Sequence, residues 1–145
     1  MTYSSLSKSD SASTLSSLSS RQVSPIDQPD YLNTAVIGTS RVPPEALLGE
    51  LKRIEYRAGR RRGRRLGPRV LDIDLLLWGQ EVRRLPELTL PHPRLRQRAF
   101  VLAPLAEIAG DWRVPPDGRT VADLWSELGP QRGLERCDWS HQPLL

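Results

Sequence analysis

The segment 70–78 constrains the fold of this 145-residue chain more than any other stretch, because it alternates in the manner of a β-strand. Successive side chains of a strand point to opposite faces. One face would carry four apolar residues, Leu71, Ile73, Leu75 and Leu77. The other face would carry Asp72, Asp74, Leu76 and Trp78. We therefore predict a strand that is buried on one face and presents two carboxylates on the other.

Apolar residues at helical spacing predict three helices elsewhere in the chain. The first begins at the Pro43-Pro44 pair, because proline is tolerated in the first turn of a helix, and it ends at Gly59. The other two span 98–109 and 121–128, the last behind a capping box formed by Thr120 and Asp123. Further short strands are predicted at 32–39 and 88–90. Helices and strands interleave without a long βα repeat, which favours an α+β sandwich with a mostly antiparallel sheet.

The two ends of the chain differ in composition from its middle. Ten of the first twenty residues are serine, and too few residues there are apolar to build a core. We predict a disordered leader over 1–22, one folded domain over 23–128 and a loose tail over 129–145. A Ser-rich leader is also compatible with an organelle transit peptide, although Lys8 and Arg21 are its only basic residues.

Cysteine usage and hydropathy bear on the compartment. The chain has one cysteine, Cys137, which excludes an internal disulfide framework and favours a reducing environment. No stretch of the sequence approaches the ~20 apolar residues that span a bilayer. We therefore predict a cytoplasmic protein without a membrane partner, and we expect a monomer.

Asp72 and Asp74 carry the strongest chemical signal in the sequence. At positions i and i+2 of a strand they share one face, with Cα atoms roughly 6.5–7 Å apart. Their oxygens can converge on a hard cation, since Mg²⁺ favours one or two carboxylates together with water and substrate phosphate. An exposed strand face or a structural ion pair would also accommodate the two carboxylates, so the residues alone leave these alternatives open.

Arginines dominate the stretch that precedes this predicted strand. Five of the six residues from Arg60 to Arg65 are arginine, and Arg69 lies three residues before Asp72. Guanidinium groups beside carboxylate-bound magnesium suit phosphoryl transfer, because both stabilise charge on phosphate oxygens. A solvated loop or a nucleic-acid-binding loop would have the same composition, and both stay open at this point.

A third group of candidate residues follows the short strand predicted at 88–90. His92 is flanked by proline on both sides, which stiffens the backbone and holds the ring where it could donate to a phosphate. Arg98, the last of three alternating arginines, leads to Phe100, which could stack on a flat ligand. A surface histidine and a core phenylalanine are the simpler alternatives.

Three blocks of sequence, in this order and at this spacing, resemble the 6-hydroxymethyl-7,8-dihydropterin pyrophosphokinase family of folate biosynthesis. They lie at 28–33, 67–74 and 88–92, and the third is followed by Arg-Ala-Phe at 98–100. The Gly-Pro-Arg-x-x-Asp-x-Asp pattern at 67–74 is highly specific, and the other blocks support it. The resemblance covers about 23–128, most of the chain.

The resemblance implies a ferredoxin-like α+β sandwich. It also implies transfer of the β,γ-pyrophosphoryl unit of ATP to the hydroxymethyl group of 6-hydroxymethyl-7,8-dihydropterin, with release of AMP and with two Mg²⁺ ions as cofactors. Nucleic acid is then not expected as a partner. The rival hypotheses are a basic nucleic-acid-binding domain that uses the loop from Arg60 to Arg65, and a catalytically impaired fragment of the kinase.

Site residues follow from the resemblance, position by position. The metal ligands would be Asp72 and Asp74, which form the catalytic set together with Arg60, Arg62 and Arg69. The ATP-binding set would be Glu55, Arg69, Leu75, Thr89, His92 and Arg98. The pterin-binding set would be Tyr31, Asn33 and Phe100. Two of the arginines, Arg60 and Arg62, would lie on a mobile loop that closes over the phosphates.

The chain departs from the family pattern in three places. Leu66 stands where the family usually has a tryptophan before Gly-Pro-Arg, and Glu87 stands where some members have an arginine. The family's opening strand, which ends in a Gly-Ser-Asn turn, has no counterpart in the Ser-rich leader. We therefore expect the N-terminal central strand of the sheet to be missing, and part of the pterin pocket with it.

Overall fold

The computed structural model describes residues 18–22, 31–59 and 71–137. Within these residues the chain forms an α+β arrangement of helices and short antiparallel strands. The helices are α1 (Pro44–Ala58), a single 3-10 turn (Leu95–Gln97), α2 (Ala99–Ala109) and α3 (Val121–Leu128). The strands are β1 (Leu18–Gln22), β2 (Tyr31–Ala35), β3 (Arg83–Arg84), β4 (Thr89–Leu90), β5 (Arg113–Val114), β6 (Arg119–Thr120) and β7 (Leu134–Cys137).

The largest sheet has the strand order β2-β1-β7, and both pairings are antiparallel. β1 pairs with β2 from Leu18 opposite Ala35 to Gln22 opposite Tyr31. Two further pairs, β3 with β4 and β5 with β6, form separate small antiparallel ladders. Helix α2 packs against both β1 and β2, and α3 packs against α2. The α+β class that the sequence predicted is therefore confirmed.

The three predicted helices are confirmed, and the local signals that predicted them have the expected geometry. Pro44 opens α1, and Gly59 ends it at a φ of 144°, a backbone conformation that favours glycine. In α3 the Asp123 amide donates to Thr120 Oγ1 at 3.1 Å, and the Thr120 amide donates to the Asp123 carboxylate at 3.2 Å. This is the reciprocal capping box that the sequence indicated. Pro104 lies within α2.

Both ends of the described chain differ from the predicted leader and tail. Leu18–Gln22, at the end of the predicted disordered leader, forms β1, and Leu134–Cys137, in the predicted tail, forms β7. A serine-rich strand carries little hydrophobic signal, but β1 is bonded on both edges, so its backbone groups are paired without much help from side chains. Residues 1–17, 23–30 and 138–145 of these predictions lie outside the described residues.

No strand or ladder is assigned, within the described residues, to 71–78, the described part of the predicted strand. The prediction of a regular strand there is therefore wrong for these residues. Its backbone is instead bonded at separate points. The Ile73 amide donates to Glu55, and the Leu76 carbonyl accepts from the His92 amide at 2.8 Å. Alternating side chains indicate an extended backbone, but they do not indicate that a neighbouring strand is paired with it.

The core consists of two clusters of buried side chains. The first lies around α2 and α3 and includes Ala35, Leu76, Leu77, Leu95, Val101, Leu102, Leu105, Val114, Val121 and Leu124. The second lies around α1 and includes Leu51, Ile73, Leu75, Trp78, Leu88 and Leu90. Segment 71–78 contributes to both clusters, so its predicted two-face pattern changes near its end. Leu77 packs in the first cluster, whereas Ile73 and Leu75 pack in the second.

None of the helices in the described residues is long and apolar enough to cross a membrane.

Candidate active site

Helix α1 places a carboxylate beneath the segment that carries the two aspartates. Leu48, Leu51 and Glu55 follow each other at helical spacing, so Glu55 turns toward the core together with the buried Leu51. The Glu55 side chain has no exposed surface, and its Oε1 accepts a hydrogen bond from the Ile73 amide at 2.7 Å. Lys52 Nζ lies 3.3 Å from both carboxylate oxygens of Glu55. The backbone between the two aspartates is therefore anchored to α1.

Asp72 and Asp74 flank this anchored amide, and both are half-buried. The side chain of Ile73, between them, is 6% exposed and packs in the second cluster. Asp74 Oδ2 lies 3.6 Å from Arg98 Nη1, at ion-pair distance. The two carboxylates thus lie at the edge of the core, and one of them faces a guanidinium group.

His92 lies close enough to both carboxylates to respond to their charge. Its amide donates to the Leu76 carbonyl, and its Nδ1 accepts from the Arg94 amide at 3.1 Å. Burial lowers the pKa of His92. The negative charges of Asp74 and Asp72 oppose this shift, and the positive charges of Arg98 and Arg94 reinforce it. Because Nδ1 accepts a hydrogen bond, the proton of the neutral ring lies on Nε2. His92 is therefore held as a neutral donor beside the carboxylates.

Arg98 connects this acidic group to the start of α2. It is the residue that precedes α2, and its guanidinium carbon lies 5.6 Å from the centre of the Phe100 ring. Phe100 is half-buried and packs against the first core cluster. The guanidinium group therefore contacts both a carboxylate and an aromatic face, which restricts its orientation.

The remaining predicted site residues fall in three situations. Asn33 is 7% exposed in β2, a strand against which α2 packs, and Tyr31 begins the same strand. Leu75 is buried in the second cluster, whereas Thr89 is exposed on β4. Three predicted site residues, Arg60, Arg62 and Arg69, lie outside the described residues. The structure therefore brings together Glu55, Asp72, Asp74, His92, Arg98 and Phe100.

The donor set suits magnesium better than a transition metal. Among the residues described, no group of three or more His, Cys, Asp or Glu side chains could hold a metal ion. Two half-buried carboxylates, Asp72 and Asp74, supply oxygen donors and leave the other coordination positions to water and phosphate. Mg²⁺ is commonly bound in this way, whereas zinc sites use three or four protein ligands. The residues present therefore fit the predicted cofactor.

Sequence reasoning missed the two backbone bonds that hold the site. The first, from the Ile73 amide to Glu55, could have been suspected because the spacing of Leu51 and Glu55 places a carboxylate on the apolar face of α1. The second, from the His92 amide to the Leu76 carbonyl, has no sequence signal, because it joins two irregular segments. Lys52, three residues before Glu55, was visible as a helical ion pair.

The chain matches a known protein family over most of its length. Residues 2–110 match the model of the 7,8-dihydro-6-hydroxymethylpterin-pyrophosphokinases. The matched range contains all of the predicted catalytic, ATP-binding and pterin-binding residues. It also begins within the predicted leader.

Several characterised relatives are similar to the chain. It is 44% identical over 112 residues to the 2-amino-4-hydroxy-6-hydroxymethyldihydropteridine pyrophosphokinase of Pseudomonas aeruginosa, an alignment that covers 77% of the chain and 68% of the relative. The protein of the same name from Haemophilus influenzae is 42% identical over 130 residues, an alignment that covers 90% of the chain and 81% of the relative. The mitochondrial folate synthesis bifunctional protein of Pisum sativum is 44% identical over 108 residues, with 74% of the chain but 20% of the relative covered.

Proposed function

Because this chain belongs to the 7,8-dihydro-6-hydroxymethylpterin-pyrophosphokinase family, we propose that it is an ATP-dependent diphosphokinase of folate biosynthesis. The hydroxymethyl oxygen of 6-hydroxymethyl-7,8-dihydropterin attacks the β-phosphorus of ATP. The bond between that phosphorus and the α,β-bridging oxygen breaks, AMP leaves, and the hydroxyl proton passes to solvent. The observation that carries the proposal is the pair Asp72 and Asp74 beside Arg98 and His92.

The two aspartates are the proposed ligands of two Mg²⁺ ions. Bound there, magnesium would neutralise charge on the phosphate oxygens and lower the pKa of the attacking alcohol. Half-burial of both carboxylates supports this role, because partly desolvated carboxylates side by side favour a counter-cation. Asp74 already faces one cation, the guanidinium of Arg98.

His92 and Arg98 are the proposed contacts to the phosphate groups of ATP. His92 presents Nε2–H as a neutral donor, since its Nδ1 is occupied by the Arg94 amide. Arg98 presents a guanidinium whose orientation Phe100 and Asp74 restrict. Arg60, Arg62 and Arg69 are proposed to complete the phosphate contacts, and Thr89 and Leu75 complete the proposed ATP-binding set.

The proposed pterin contacts are Asn33, Phe100 and Tyr31. The amide of a buried asparagine can pair with the polar edge of the pterin ring, and an aromatic side chain can stack on its face. Support comes from the packing of α2, which carries Phe100, against β2, which carries Asn33. A ferredoxin-like arrangement, a monomeric state and a cytoplasmic location remain part of this proposal.

The family match favours the kinase over the nucleic-acid-binding alternative. The test is direct: incubate the protein with ATP, Mg²⁺ and 6-hydroxymethyl-7,8-dihydropterin, and measure AMP and pterin diphosphate by chromatography. We expect equal amounts of the two products, and neither without the pterin or with EDTA. Formation of ADP in place of AMP, or no product together with salt-dependent binding of random RNA, would contradict the proposal.

A further inference from the structure

We propose that Glu55 is a positioning residue, which holds Asp72 and Asp74 in their binding arrangement through the amide of Ile73. This inference rests on the proposed function, and it gives Glu55 a different role from direct contact with ATP. The Glu55 side chain has no exposed surface, so the carboxylate faces the protein interior rather than a ligand. Its 2.7 Å hydrogen bond reaches the backbone directly between the two aspartates.

The bond is of a kind that fixes backbone geometry. It joins α1 to a segment 18 residues further along the chain. A hydrogen bond from an amide to a carboxylate is charge-assisted and is roughly twice as strong as one between neutral groups. Burial strengthens it further, because the surrounding dielectric constant is low. The position of the Ile73 nitrogen is therefore set by a rigid helix rather than by a flexible loop.

Segment 71–78 is bonded to α1 at the Ile73 amide and to the His92 amide at the Leu76 carbonyl. Ile73 is fixed twice, since its amide is bonded to Glu55 and its side chain is buried in the second core cluster. Both neighbours of Ile73 are the proposed metal ligands. Fixing one residue therefore sets the spacing of the two carboxylates.

Packing alone does not explain a glutamate at this position of α1. A buried carboxylate loses hydration, a cost that an apolar residue beside Leu51 would avoid. The hydrogen bond from the Ile73 amide at 2.7 Å and the contact with Lys52 Nζ at 3.3 Å offset this cost. What glutamate adds over leucine or methionine is an acceptor for the amide, which is the role that we assign to it.

The test uses two neutral replacements of nearly equal size. Glu55→Gln keeps an oxygen that can accept from Ile73, whereas Glu55→Met fills the same space with no comparable acceptor. Binding of Mg²⁺ with α,β-methylene-ATP is measured by titration calorimetry, and exchange of the Ile73 amide hydrogen is measured by NMR. Loss of residues that orient metal ligands typically costs about 10–100-fold in metal affinity. We expect that loss and faster Ile73 exchange in Glu55→Met, with both properties near wild type in Glu55→Gln.

A third variant separates positioning from general loss of stability. Leu124→Ala leaves a cavity in the first core cluster and should destabilise the fold without changing Ile73 exchange or ligand affinity. Wild-type affinity in Glu55→Met, or an equal loss in Glu55→Gln and Glu55→Met, would overturn the assignment. If Glu55→Met does not fold, the exchange rate of the Ile73 amide in Glu55→Gln becomes the test. Exchange faster than in the wild type would then overturn the assignment of Glu55 as a positioning residue. Failure of the wild-type protein to bind the analogue or form AMP would instead disprove the proposed function.

Discussion

Arg98 Nη1 lies 3.6 Å from Asp74 Oδ2, while the same guanidinium lies over the ring of Phe100. One cation thus contacts both a proposed metal ligand and a proposed pterin-stacking residue. In the proposed reaction Arg98 also faces the phosphate groups of ATP. The residue therefore connects the two proposed substrate sites.

Replacement of Arg98 should lower kcat/KM for ATP more than it lowers the stability of the fold. Loss of a hydrogen bond to a charged group costs roughly 1.5–3 kcal/mol, which corresponds to about 10–100-fold in kcat/KM. We expect that loss in Arg98→Met, and a partial recovery in Arg98→Lys, which keeps the charge but not the planar guanidinium. Steady-state kinetics at varied ATP concentration measure this change in kcat/KM. The matched control is Arg132→Met, at an exposed arginine between α3 and β7.

Neutralising either aspartate should abolish most of the magnesium-dependent activity. Asp72→Asn and Asp74→Asn keep the size of the side chain but remove the charge that holds the cation. Loss of one electrostatic group at a reacting centre typically costs about 10²–10³-fold in kcat. The measurement is AMP formation across a Mg²⁺ titration. Asp111→Asn, at an exposed position after α2, is the control and should behave as wild type. Full activity of both site variants would exclude the carboxylates as metal ligands.

His92 should titrate below the ordinary histidine pKa. Burial lowers its pKa, so the folded protein keeps the ring neutral at a pH where the unfolded chain has begun to protonate it. The resulting contribution to stability is present above the unfolded pKa and is lost as the pH falls through the folded one. NMR titration of ring protons measures this pKa. The chain has two histidines, so His92→Asn identifies which signal belongs to His92. A pKa above 6.5 would contradict the prediction.

The Arg96–Asp117 ion pair should make stability depend on acid pH without affecting activity. The two side chains form a two-bond pair at 2.8 and 2.7 Å, and the hydrogen bonds from Arg96 are the main reason that the pKa of Asp117 falls to about 2. A lowered carboxyl pKa stabilises the fold above the unfolded value of about 3.8, and this contribution disappears as the pH falls toward 2.

Asp117→Asn should therefore lower the melting temperature at neutral pH, and the difference from wild type should shrink toward pH 2. Thermal unfolding at several pH values measures it, and AMP formation at neutral pH should be unchanged. Because Asp117 is exposed, the expected shift is small. A difference that grows as the pH falls would contradict the assignment.

The sequence predicted the helices well, because their signals are local. Pro44, Gly59 and the Thr120 capping box act within a few residues, so their consequences can be read without knowing the rest of the fold. Strand pairing is not local. Leu18–Gln22 has no hydrophobic pattern of its own, and its place between β2 and β7 depends on residues up to 137.

Part of the candidate site could likewise be predicted from the sequence, and part of it could not. The aspartates, His92 and Arg98 could be named from the sequence, and the structure brings them together. The roles of Glu55 and of the Leu76 carbonyl depend on where α1 and the segment around His92 pack against 71–78. Such contacts between irregular segments have no periodic signature. Within the part of the chain that the structure describes, no strand is assigned to 71–78 either, since alternating side chains indicate an extended backbone and not a partner strand.

Segment 71–78 sends Leu76 and Leu77 into one core cluster, and Ile73 and Leu75 into the other. Both aspartates therefore alternate with residues of the second cluster, and the first cluster begins two residues after Asp74. A rearrangement of the second cluster would therefore change the spacing of the carboxylates. A substitution deep in that cluster can then alter catalysis from a distance, even though it contacts neither substrate.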